Sequence, residues 1–107
     1  MTQGIDIDKI KTQFPALNQR VHDGKKLVYL DSAASAHKPE AVLNAMDDFQ
    51  RQDYSNVHRG VHYLSQRATD AFELARQRVA QFIGAEENEV VFTKSTTEAI
   101  NLVAHGM

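Results

Sequence analysis

Ser95-Thr96-Thr97-Glu98 lies where one apolar pattern stops and another begins, which gives four polar residues a chemical use. Before it, Val90-Val91-Phe92 is β-branched and aromatic, as a buried strand prefers. After it, Ala99, Ile100, Leu102 and Val103 open a helical apolar face. Ser95 is the expected N-cap, and Glu98 three residues on completes a capping box in which each side chain satisfies an orphan backbone N–H. The N–H groups of Thr96 and Thr97 then point outward at the positive end of the helix dipole, and their hydroxyls add donors. The chemistry on offer is anion binding, with phosphate the natural ligand. Read alone, the same four residues more often make only a well-capped strand-to-helix connection.

Two other stretches carry chemical groups. His58-Arg59-Gly60-Val61-His62 presents two imidazoles and a guanidinium. The histidines are four apart and would share a helix face suited to a metal, but Gly60 between them argues for a loop and no further ligand cluster follows. Arg59 could pair with an acidic group or an incoming carboxylate, with Glu98 of a second copy as one candidate. Asp31-Ser32-Ala33-Ala34-Ser35 is a run of small residues, typical of an ordinary loop and also able to let backbone approach a ligand closely. Neither His22, His37 nor His105 belongs to any constellation.

The elements that must position these residues read as helix, strand, helix, helix, strand, helix. Asp6 to Phe14 forms a short amphipathic helix ended by Pro15. After an Asp23-Gly24 turn, Leu27 to Leu30 reads as a strand. Pro39 suits the first turn of a helix reaching Gln52, with Val42, Leu43, Met46 and Phe49 on one face. A loop from Asp53 to Tyr63 leads to a helix starting at Ser65 or Gln66 and stopped by Gly84. The last helix has barely two turns before Met107. Two short strands do not make a self-sufficient sheet, so further strands are expected beside them.

The 107 residues, 42% hydrophobic, are enough for one small globular domain. A net charge of -2, from 12 basic and 14 acidic residues, gives no electrostatic footprint for nucleic acid or an anionic membrane. There is no cysteine, so no disulfide, thiolate metal site or thiol nucleophile comes from these residues. The N-terminus lacks the basic and apolar regions of a secretory signal, and no run reaches the ~20 apolar residues of a membrane span. The expected location is the cytoplasm.

Taken together, Tyr29-Leu30-Asp31-Ser32-Ala33-Ala34-Ser35, Asn56-Val57-His58-Arg59-Gly60-Val61-His62 and Ser95-Thr96-Thr97-Glu98-Ala99-Ile100-Asn101 resemble the N-terminal part of a SUF-type cysteine desulfurase, in the same order and at compatible separations. These are pyridoxal phosphate enzymes of the class V aminotransferase group. The resemblance implies an α/β fold, namely the N-terminal fragment of a fold-type-I pyridoxal phosphate-dependent transferase, mostly helical in this piece. Residues 1–20 would be a helical arm and 21–107 the start of the large cofactor-binding domain.

It further implies that Thr96 and Thr97 hold the phosphate of pyridoxal 5'-phosphate, and that Ala33, Ala34, His58 and Arg59 lie near the substrate. Members of the family often have glycine where this chain has Ser95. The implied reaction converts L-cysteine to L-alanine and an enzyme persulfide for iron–sulfur cluster assembly. It involves a homodimer and a sulfur-acceptor protein. In the family the Schiff-base lysine, ring-stacking histidine, pyridine-nitrogen aspartate, nucleophilic cysteine and carboxylate-gripping arginine all occur later in the chain. Lys94 does not match that lysine, so no catalytic residue is expected here and the 107 residues alone should be inactive. A selenocysteine lyase or another class V enzyme fits the same residues, as does a small non-catalytic protein that binds a desulfurase.

Overall fold

Residues 4–106 are described by the computed structural model, so residues 1–3 of the expected arm and Met107 lie outside the described residues. The chain separates into two compact units, one ending at Tyr54 and one beginning at Ser55.

In the first unit, helix α1 (Ile7–Thr12) is capped by Asp6, whose carboxylate accepts the Lys9 N–H at 3.0 Å. Pro15 ends it, as expected, and opens a short 3-10 turn, Pro15–Asn18. Strands β1 (Arg20–Val21) and β2 (Lys25–Lys26) pair antiparallel, with Arg20 opposite Lys26 and Val21 opposite Lys25. The tight connection needs three consecutive residues at positive φ: His22 at 44°, Asp23 at 63° and Gly24 at 86°. Helix α2 (Glu40–Asp48) follows Pro39, which is the N-cap residue, and continues into a π-helical turn, Phe49–Asp53. The Gln13 carbonyl accepts the Glu40 N–H at 2.8 Å, tying the end of the α1 segment to the start of α2.

The second unit is built on helix α3 (Tyr63–Ile83), which begins two residues earlier than its apolar spacing suggests. Gly84 stops it in the left-handed region, at φ 70°. A 3-10 turn at Glu87–Glu89 leads through Val90–Phe92 to helix α4 (Thr96–Gly106), whose eleven residues make three turns rather than two.

Both expected strands differ from their reading in the same way. Leu27 to Leu30 alternates half-buried Leu27 and Tyr29 with exposed Val28 and Leu30, which is the side-chain alternation of a strand. Only its first residue pairs, the Leu27 N–H donating to the Gln19 carbonyl at 3.2 Å. Val90 is buried while Val91 is 64% exposed, and this stretch too has no ladder partner among the described residues. Among the described residues the core is correspondingly small, with Ala68, Ala80 and Val90 as its buried apolar members. On α4, Ala99, Ile100, Val103 and Ala104 line an apolar groove of about 400 Å³.

Candidate functional site

The start of α4 is built by short-range hydrogen bonds. Ser95 Oγ accepts the Glu98 N–H at 3.2 Å, and the Ser95 carbonyl accepts the Ala99 N–H at 3.0 Å. The Glu98 carboxylate reaches one residue further back than a capping box requires and accepts the Lys94 N–H at 2.6 Å. Thr93 closes the bend by donating its hydroxyl to the Ser95 carbonyl at 3.2 Å. Thr96 and Thr97 are exposed, and among the described residues their N–H groups meet no acceptor. Two backbone donors and two hydroxyls therefore face outward at a helix N-terminus, where negative charge is favoured.

His58 and Arg59 lie in a turn over residues 57–59, with His58 at φ 62°. That turn is held by one face of α3. Thr69 Oγ1 accepts the His58 N–H at 3.0 Å, and His58 Nε2 lies 2.7 Å from Glu73 Oε1. Glu73 Oε2 in turn accepts from Arg76 Nε at 3.0 Å, and Arg76 Nη1 donates to the Val90 carbonyl. The guanidinium lies 5.2 Å from the Phe72 ring centre and 5.6 Å from that of Phe92. Phe72 meets both His58 and Phe92 edge-on.

At the loop's other end, Ser65 is fully buried, donating to the Asn56 carbonyl at 2.6 Å and accepting the Gly60 N–H at 3.0 Å. His62 is the N-cap of α3, its Nδ1 accepting the Ser65 N–H at 3.3 Å. The two imidazoles thus have separate uses and do not share a helix face. Arg59 makes no hydrogen bond or ion pair among the described residues, leaving its guanidinium available to a carboxylate.

Glu73 feels opposing effects. Partial desolvation raises its carboxyl, but hydrogen bonds from Arg76 and His58, together with their charges, outweigh this and hold it below the ordinary 4.5. A carboxylate whose pKa is depressed by folding stabilises the fold above its unfolded value and loses that contribution as pH falls through the folded value. Acidification below about pH 4.5 should therefore loosen the 57–59 turn, with amide exchange rising there. Glu73→Gln should abolish that pH-dependent step; an unchanged step would show that another group carries it.

Ala33 and Ala34 belong to the first unit, the other four expected site residues to the second. The alanines sit in a turn closed by the Ala34 and Ser35 N–H groups, both donating to the Asp31 carbonyl, at 3.1 and 3.0 Å. Tyr29 Oη donates to the Ser35 carbonyl at 2.7 Å and braces the turn. His37, given no role by the sequence, meets Tyr29 edge-on at 4.4 Å, and its Nε2 is buried without a partner among the described residues.

The sequence model of the aminotransferase class-V family matches residues 28–107, three quarters of the chain. The chain belongs to that family. A probable cysteine desulfurase of Streptomyces coelicolor is 49% identical over 102 residues, covering 94% of this chain and 24% of that protein. A probable cysteine desulfurase of Halobacterium salinarum is 52% identical over 101 residues, with the same two shares. Among solved structures, the apo cysteine desulfurase of Thermococcus onnurineus NA1 superposes with a TM-score of 0.79 at 42% identity, covering 91% of this chain and 22% of that one. The class-V chain thus spans about a quarter of the length of the relatives it matches. Its fold is the α/β fold expected, the N-terminal part of a fold-type-I transferase.

Proposed function

We propose that this chain is the N-terminal part of a pyridoxal phosphate-dependent cysteine desulfurase, which converts L-cysteine to L-alanine and an enzyme persulfide whose sulfur serves iron–sulfur cluster assembly. The observation that carries the reading is the donor set of Thr96 and Thr97 at the start of α4, unsatisfied within a class-V chain. Four outward donors at the positive end of an eleven-residue helix fit a phosphate dianion. Glu98 leaves those donors unoccupied, because its carboxylate is engaged backwards on the Lys94 N–H.

When bound, the cofactor supplies the electron sink for breaking the carbon–sulfur bond. The residues of this chain would bind and orient. Thr96 and Thr97 fix the phosphate, and the unpaired guanidinium of Arg59 and the imidazole of His58 stand near the substrate. Ala33 and Ala34 leave room for it. Residues 1–20 would be an arm and 21–107 the opening of the large domain of a cytoplasmic homodimer that passes sulfur to an acceptor protein.

The thiol that accepts sulfur must come from outside these cysteine-free residues. The isolated 107 residues should therefore release no alanine from L-cysteine, whereas the complete protein should release alanine and gain a persulfide. Cofactor-dependent turnover by the isolated residues, or its absence from the complete protein, would overturn the reading.

A further inference from the structure

We propose that Arg76, assisted by Glu73, is a positioning residue that couples the turn carrying His58 and Arg59 to the segment feeding Thr96 and Thr97. The inference rests on the reading of those residues as site residues, but its basis is the face of α3. Ser65, Thr69, Phe72, Glu73 and Arg76 follow helical spacing, and each touches at least one of the two segments. Thr69 takes the His58 N–H, Glu73 takes the His58 ring, and Phe72 packs on both His58 and Phe92.

Arg76 links the two sides, directly to one and through Glu73 to the other: its Nη1 donates to the Val90 carbonyl, and its Nε donates to the Glu73 carboxylate that holds the His58 ring. Its plane lies close to Phe72 and Phe92, and its side chain is 22% exposed against 50% for His58. A lysine offers neither the forked donors nor the flat face, so it cannot hold both partners. From Val90 to Thr96 the chain has little slack. Thr93 bonds the Ser95 carbonyl and Lys94 bonds Glu98, so movement at Val90–Phe92 reaches the helix start directly.

The test uses the complete protein that carries this chain, stripped of cofactor, with inorganic phosphate as the probe. Amide exchange is read along the chain, and the N–H signals of Thr96 and Thr97 are followed during a phosphate titration. Arg76→Leu should speed exchange about tenfold over both 56–61 and 90–98, leave α2 unchanged, and weaken phosphate binding about tenfold. Arg76→Lys should fail to rescue either effect. Glu73→Gln should free 56–61 alone, with phosphate affinity kept within about twofold.

Rescue by lysine, wild-type exchange in either segment of Arg76→Leu, or equal acceleration everywhere including α2 would overturn the coupling. If the wild-type Thr96 and Thr97 signals ignore phosphate, the cofactor reading falls, while the exchange comparison still decides the coupling.

Discussion

Replacing Thr96 and Thr97 together by valine should cost the complete protein on the order of a hundredfold or more in affinity for inorganic phosphate and for pyridoxal phosphate. Each hydroxyl that donates to an anion contributes ~1.5–3 kcal/mol, and a decade of affinity corresponds to about 1.4 kcal/mol. Valine keeps the β-branched shape and has nearly the same helix propensity as threonine, so α4 should still form. Ser95 and Glu98, which cap it, are untouched. The backbone N–H groups also remain, so binding should weaken rather than vanish. Equilibrium titration of the double variant decides the matter. Loss of less than about threefold would mean that the phosphate sits elsewhere, since removing two charge-assisted bonds has no smaller consequence.

What was legible in the sequence is what is decided locally. Gly84 stops α3 because the left-handed conformation there suits a residue without a side chain, and that signal is one residue long. Pro15 and Pro39 mark their helix boundaries for equally local reasons. The Ser95–Glu98 junction was readable in four residues, although the carboxylate closes on Lys94 and not on Ser95. The strands at 27–30 and 90–92 were not settled in this way. Leu27 to Leu30 has the alternation, but a strand also needs a neighbour to receive its hydrogen bonds, and a neighbour is a property of distant chain.

The start of α3 is hidden for a different reason. His62 is not a favoured N-cap type, and of Ser65 and Gln66, where the spacing places the start, Ser65 is a buried bridge to the preceding loop. Nothing in the sequence sets Glu73 and Arg76 apart from other charged residues three apart on a helix. Only the fold places His58 and Val90 within their reach.

That bridge makes Gly60 the second position where a small change should have a large effect. A Cβ built on Gly60 meets the Ser65 Cβ and Oγ at 2.5 Å each, with His62 Nε2 at 3.1 Å. Both Ser65 atoms belong to a fully buried side chain on the first turns of a 21-residue helix, so neither can swing away. Gly60→Ala must therefore push the loop off α3, breaking the Gly60 N–H bond to Ser65 Oγ and straining the one from Ser65 to Asn56. Overpacking costs ~1–3 kcal/mol, and a buried donor left unpaired adds a similar amount.

Ser65→Ala should cost less, about 1–3 kcal/mol, because it removes the hydroxyl without a clash. The two positions should also be coupled. Ser65→Gly empties the space that the new methyl needs, so the Gly60→Ala/Ser65→Gly pair should be less destabilised than the sum of the two single changes. Denaturant melts of the complete protein with all four combinations test this. Strict additivity would show that the loop meets the Gly60→Ala methyl by moving elsewhere. Coupling would show that close approach to Ser65 is why glycine stands beside Arg59, and why the turn bearing His58 and Arg59 is anchored at both ends to one helix.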